Sequence, residues 1–268
     1  MRVSGVKKYV TIANRSMQNT FSYRLAYFMN MLNAFVGLFS MYFLWKAIYG
    51  GRDVLAGYTW DQMKAYIVIT FLANSLLSIN SEFKISRDIL DGGVAMDLIK
   101  PVDYQKARLS ETLGSCLVEG LFSALFVSLL LIATVGIMVP DRLATWLLFV
   151  VSLALSILVK FGVVYLTGLL CFWTTGSVGL VWARAAITNL LSGALVPLSF
   201  FPHWLEKLAM VLPFQSIIYT PTRIYMNGLS ASEALQMIGI QLFWAVVLWF
   251  AGKFLWTHAI KKITIHGG

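Results

Sequence analysis

Apolar positions fall into six long runs, at about 26–48, 63–80, 115–138, 145–171, 178–199 and 235–257. Each approaches the roughly 20 mostly apolar residues that a helix needs to cross a hydrocarbon core. The second run is the most interrupted: Asn74, Ser75, Ser78 and Asn80 make one side polar. Polar side chains facing lipid are costly, so this pattern predicts a helix packed inside the protein. Residues 1–22 follow a different rule. Val6, Tyr9, Val10, Ala13, Met17 and Phe21 recur at helical spacing, with Lys7, Lys8, Asn14, Arg15, Gln18 and Ser22 on the other side. This predicts an amphipathic helix, either lying in the inner membrane interface or packed on other protein.

A third pattern fills Gly193–Gly228. It is too apolar for a solvated loop, yet it holds four of the six prolines, Pro197, Pro202, Pro213 and Pro221. A smooth membrane helix does not carry that spacing. Irregular backbone at membrane depth persists only where protein or water satisfies it. The expected structure is a re-entrant helical hairpin over 200–230. Its aromatics, among them Phe200, Phe201, Trp204, Phe214, Tyr219 and Tyr225, fit either an interfacial belt or a gate; Phe200, Phe201, Trp204, Pro213 and Phe214 are the gate candidates.

Composition narrows the class. The chain has 268 residues, 59% hydrophobic and only 12% charged, against about a quarter charged in an ordinary soluble domain. This predicts an all-α integral membrane protein, one transmembrane domain over 1–268 with no room for a separate soluble domain. The net charge of +9 is explained by topology. With the N-terminus inside, fourteen Lys and Arg fall on inner segments and six on outer ones, with Lys160 within a span. The excess puts both termini in the cytoplasm and the hairpin outside. No basic run interleaved with aromatics points to nucleic acid, and no short apolar core with a cleavage site marks a removable signal. Cys116 and Cys171 are too few for a disulfide framework.

The longest hydrophilic inner segment is 81–112, with five basic and six acidic residues. Phe83, Ile85, Ile89 and Leu90, then Val94, Met96, Leu98 and Ile99, are its periodic apolar positions. Gly92-Gly93 breaks one short helix and Pro101 bounds the next. Such a helix either docks in a partner's groove or packs beneath its own spans.

The pattern Asp88-Ile89, Gly92-Gly93 and Asp97-Leu98-Ile99-Lys100-Pro101 resembles the cytoplasmic loop of type-2 permeases of ABC exporters, in particular the drug- and antibiotic-resistance-like group. The stretch Val196-Pro197-Leu198, Phe201-Pro202, Leu212-Pro213-Phe214 and Tyr219-Thr220-Pro221 resembles the outer re-entrant region of the same group. The resemblance covers most of the chain and implies a concrete arrangement. Two permease halves, identical or sister chains, form the pathway, with a seam among the first and fifth spans. Two ATPase subunits bind from the cytoplasm and carry ATP and magnesium. The coupling element that meets them falls on Phe83, Ile85, Asp88, Ile89, Gly92, Gly93 and Asp97. The expected function is ATP-driven efflux of an amphiphilic or hydrophobic substrate across the cytoplasmic (plasma, or cell inner) membrane, within a lipid environment.

Ionisable residues within spans mark pathways or structural pairs. Glu119 and Arg184 lie at similar inner depth and are expected to pair; Lys160 either lines a wet cavity or extends its stem to an interface. No G-x-x-x-x-G-K-[ST] motif is present, so nucleotide belongs on another polypeptide and this chain needs no cofactor of its own. His203, His258 and His266 are far apart, against a metal site, and Ser192-Gly193 lacks a membrane histidine for serine-protease chemistry. The chain is not expected to be an enzyme. The alternatives are an ion-coupled secondary transporter using Glu119 and Lys160, and a non-transporting membrane scaffold.

Overall fold

The computed structural model describes residues 5–22, 24–77, 81–134, 140, 142–174, 176–226 and 229–262. Helices dominate in the order α1 Gly5–Ser22, α2 Arg24–Tyr49, α3 Trp60–Leu76, α4 Ser81–Leu90, α5 Val94–Leu98, α6 Tyr104–Thr134, α7 Leu143–Leu169, α8 Val178–Leu191, α9 His203–Val211, α10 Tyr219–Tyr225 and α11 Ala231–Ala259. Three helical stretches are long and apolar enough to cross a membrane, Trp60–Leu90, Leu143–Phe172 and Ala231–Lys262; Phe35–Tyr49 and Val178–Leu191 are shorter apolar helices. The chain is therefore an all-α membrane protein. Ser78, Asn80 and the far end of the third expected span lie outside the described residues.

Burial separates the long helices as their polarity predicts. Half of the apolar window of α3 is buried, against 17% for α11. Met63, Tyr66, Ile67, Thr70 and Ala73 form the inward stripe of α3. Thr59 starts this helix with a capping box closed by Gln62. Before it comes a two-residue antiparallel hairpin, β1 Val54–Leu55 against β2 Tyr58–Thr59, that the sequence pattern did not predict. Its turn residues Ala56 and Gly57 both have positive φ, 45° and 82°, the geometry that matches strand twist in a two-residue turn. Tyr49 donates to the Tyr58 carbonyl at 2.9 Å, fastening the hairpin to α2.

The helix α7 is the axis of the core. Near its start, Phe149 packs on Tyr225 with ring centroids 5.1 Å apart. Further along, Val159 and Val163 pack with Ala73, Leu77, Ile217, Ile218, Ala245 and Leu248. At its other end, Phe161, Tyr165 and Leu169 pack with Ile85 and Tyr104. The hairpin region thus meets one end of α7 and the 81–112 segment meets the other. That segment differs from expectation. Residues from Tyr104 onward are not loop but the first turns of the 31-residue α6, because Asp103 accepts from the Lys106 amide at 2.9 Å and starts the helix early.

The amphipathic N-terminal helix α1 lies along the start of α6. Lys8 donates to the Pro101 carbonyl at 2.6 Å, the Asp103 amide donates to Tyr9 at 3.1 Å, and Ser16 donates to the Glu111 carbonyl at 2.7 Å. Val6, Val10 and Phe21 remain exposed beside that seam. The reading of a helix packed on other protein therefore holds for one face, and the opposite face is open.

Candidate functional site

At the loop end of α7, the short helices α4 and α5 divide their apolar residues between two faces. Ile85 is fully buried, and Gly168 of α7 leaves room for it: a Cβ there would lie 2.9 Å from the Ile85 methyl. Ile89 packs against the same cluster, and Val94 is buried. Gly92 ends α4 with φ +73°, a left-handed conformation that favours glycine. The outward face keeps Phe83, Leu90, Met96, Leu98 and Ile99 exposed, Ile99 at 77%. This corrects the expected coupling set at Ile85. The i, i+4 pair Ile85/Ile89 is the inward stripe of α4, so Ile85 packs inside and offers no contact surface. Met96, Leu98 and Ile99, periodic positions outside the expected coupling set, form the exposed patch with Phe83 and Leu90.

Asp88 and Asp97 are both drawn to Arg108 of α6. The Arg108 guanidinium, 6% exposed, meets Asp88 at 3.2 Å and Glu111 at 3.0 Å and forms a short bond to Asp97. Lys100 adds a bond to Asp97 at 2.6 Å and Lys84 one to Glu111 at 3.0 Å. Burial would raise the Asp97 carboxyl, but the hydrogen bonds from Lys100 and Arg108 outweigh it and hold it below its usual range. Arg108 also lies over the Tyr104 ring at 4.8 Å, and Tyr104 stacks on Trp256 of α11 at 4.2 Å. One forked cation therefore ties α4, α5 and α6 together and reaches α11 through an aromatic stack. Sequence reasoning missed Arg108. The available signal was weak: six acidic and five basic residues share the segment, and Arg108 is one of two arginines in it.

The charges within the apolar core pair differently from expectation. Arg184 of α8 forms a short ion pair with Glu82 of α4, whose side chain is 0% exposed. It does not pair with Glu119. The segment turns back under α7 after α3, bringing Glu82 to α8, whereas Glu119 lines a cleft between α1 and α6. The pair leaves Glu82 Oε2 and Arg184 Nε without protein partners. Lys160, midway along α7, lies within electrostatic reach of both.

The hairpin end is neutral by contrast. Gln241 of α11 accepts from Ser152 at 2.9 Å and donates to the Ser152 carbonyl, to Ser156 Oγ and to the Ser216 carbonyl at 3.3, 3.1 and 2.8 Å. Ser156 donates to the Ser216 carbonyl at 3.0 Å, and Thr220 donates to Gln215 Oε1 at 2.9 Å. These protein groups satisfy the irregular backbone between the short helices, which the apolar Pro-rich pattern requires. Gly193, at φ +78°, ends α8; its carbonyl accepts from Tyr66 at 2.5 Å, and the neighbouring Ser192 carbonyl accepts from the Tyr219 amide at 2.9 Å. The 14 residues of α8 rise only about 21 Å at 1.5 Å each, short of the roughly 30 Å of a hydrocarbon core.

The gate candidates do not converge. Phe200 packs on Trp45 and Tyr58 at 5.1 and 6.1 Å. Phe201 packs with Leu198, Ala209 and Tyr219. Pro213 is buried and Phe214 joins the central cluster. Trp204 is 68% exposed.

No curated protein matches the chain. The sequence profile of the ABC-2 family transporter proteins matches residues 35–267, taking in α3 to α11 and most of α2; the chain belongs to that family.

Proposed function

We propose that this chain is one membrane half of an ATP-driven ABC exporter that moves an amphiphilic or hydrophobic substrate across the cytoplasmic membrane. Family membership makes it a transporter permease and implies association with an ABC ATPase. The finer reading adds two ATPase copies carrying ATP and magnesium, and a second permease half, identical or sister. It takes α2, α3, α6, α7, α8 and α11 as six spans, with both termini and α4–α5 in the cytoplasm. The chain itself does no chemistry.

The observation that carries this reading is the exposed Leu90, Met96, Leu98 and Ile99 surface fastened to α6 by Arg108. An apolar patch on short helices suits a groove in a partner. Its charged fastening converts displacement of α4–α5 into displacement of the long α6. ATP-driven closure of the partner then shifts the permease between two states by its differential affinity for them.

The test is co-purification in mild detergent with Met96→Asp and Ile99→Asp. Both are exposed, so folding is retained while the ATPase is lost. A retained ATPase in both variants, or none with the wild type, sinks the reading. Ile85→Asp is unsuitable, because it would strike the core.

A further inference from the structure

Two cations and one carboxylate meet where α4 packs on α7. Glu82 of α4 is fully buried and bonds Arg184 of α8 through Oε1, while its Oε2 accepts from no protein group. Arg184 has the matching deficit, a buried Nε without a partner. A bidentate pair uses both oxygens and two guanidinium nitrogens, so this pair is engaged on one side only. The neighbouring packing brings in Lys160. Leu77 packs with Val159 and Val163, and Ile85 lies against Gly168. Glu82 falls between those two contacts in sequence, alongside the turns of α7 that follow Lys160. Lys160 lies within electrostatic reach of Glu82 and Arg184, and the other titratable group facing it is the Cys116 thiol. Among the described residues, one buried carboxylate is therefore shared by two cations from different helices.

We propose that Glu82 is a movable counter-ion, whose carboxylate passes from Arg184 to Lys160 when α4 shifts along α7. In one position it holds α4 to α8, and in the other to α7. Breaking a buried ion pair is strongly destabilising when a charge is left alone. Here a second cation stands ready, and Oε2 is the acceptor its ammonium needs. The flexible stem of lysine lets that ammonium follow the acid, whereas the arginine fork is fixed in shape. Displacement of α4 thus trades one ion pair for another and leaves no buried acid unpaired. The same helix carries Phe83 and Leu90 of the exposed patch. The exchange is a property of the permease fold; only its trigger, movement of that patch by an ATPase, rests on the transport reading.

The experiment is thermal unfolding of the full chain in lipid nanodiscs. Lys160→Gln removes the idle partner and shifts the unfolding temperature little. Arg184→Gln hands the carboxylate to Lys160. The two changes together strand Glu82, and the double variant should unfold about 10 °C below the sum of the single shifts. Adding Glu82→Gln to it should recover most of that loss. Movement is read separately, from the distance between nitroxide labels on Arg87→Cys of α4 and Trp182→Cys of α8, both exposed positions. Cys116 and Cys171 are buried and escape labelling. The distance should change in Arg184→Gln and stay as in the wild type in Lys160→Gln. A double variant no worse than the sum of the single changes overturns the proposal, as does a loss that Glu82→Gln does not recover. An unchanged distance in Arg184→Gln also overturns it, because Glu82 would then sit still between two fixed cations. None of these readouts involves the ATPase, so their failure and a failed co-purification are separate results.

Discussion

The two ends of α7 are held by opposite kinds of polar contact. At the hairpin end, Ser152, Ser156, Gln215, Ser216, Thr220 and Gln241 are neutral, nearly fully buried and partnered, while Ser192 Oγ, Ser199 Oγ and Thr222 Oγ1 nearby are buried without a partner. At the loop end, Arg108 gathers Asp88, Asp97 and Glu111, and the Glu82–Arg184 pair leaves one buried atom unpartnered on each side. A saturated neutral network has one good arrangement and resists change. A charged fastening with spare valence can exchange partners at moderate cost. The difference teaches that the hairpin end is joined by neutral hydrogen bonds, whereas the loop end is joined by charge.

The largest effect is expected where a charge is most deeply buried. Glu82→Gln leaves Arg184 without its carboxylate and costs about 3 kcal/mol. Thermal unfolding of the purified protein measures it. Glu82→Gln with Arg184→Gln removes both charges and is expected to cost less than either single change. An additive double variant would show that the two residues do not act on one another. Next comes the hairpin end. Gln241→Leu removes four hydrogen bonds, and at roughly 0.6 kcal/mol each within a membrane the loss is about 2 kcal/mol. That loss should be the same at low and high salt. A salt-dependent loss would break the contrast between the two ends.

How much of this was legible in the sequence depends on how local each determinant is. The long apolar helices, the amphipathic α1 and the interrupted hairpin follow from periodicity and proline spacing, which act over a few turns. The inward packing of α3 followed from Asn74 and Ser75 in an otherwise apolar run. The pairing of Arg184 was not legible. Depth along a helix matched it to Glu119, but azimuth decides the contact, and Glu82 was counted as part of a solvated loop. Ile85 failed for the same reason: periodicity gives two faces without saying which one meets α7. The β1–β2 hairpin escaped because two-residue strands leave almost no pattern. The gate candidates share a stretch of sequence, but their side chains leave a tightly turning backbone in different directions.

A smaller effect separates charge from geometry at the loop end. Arg108→Lys keeps the charge and loses the fork that spans three carboxylates. It should cost about 1 kcal/mol in thermal stability at low salt. The gap from the wild type should narrow in 1 M salt, where the screening length falls to about 3 Å. A gap unchanged by salt would place the role of Arg108 in its stack on Tyr104, not in its ion pairs.

The smallest expected effect comes from Asp97, half of a contact that Lys100 and Arg108 share. Its carboxyl is held below the ordinary range in the folded chain, so the unfolded chain takes up the proton first as pH falls. The stability Asp97 contributes is therefore complete above the ordinary carboxylate range of about pH 4 and is lost as pH falls through its lower folded value. Asp97→Asn lacks that contribution at every pH. The unfolding temperatures of wild type and variant should differ at pH 7 and draw together below about pH 4. The same titration on Gln241→Leu should keep its separation from the wild type throughout, since no proton is exchanged in that network. A gap at Asp97 that does not close in acid would mean that the residue acts through its shape at the end of α5. Charge would then no longer distinguish the loop end from the hairpin end at that position.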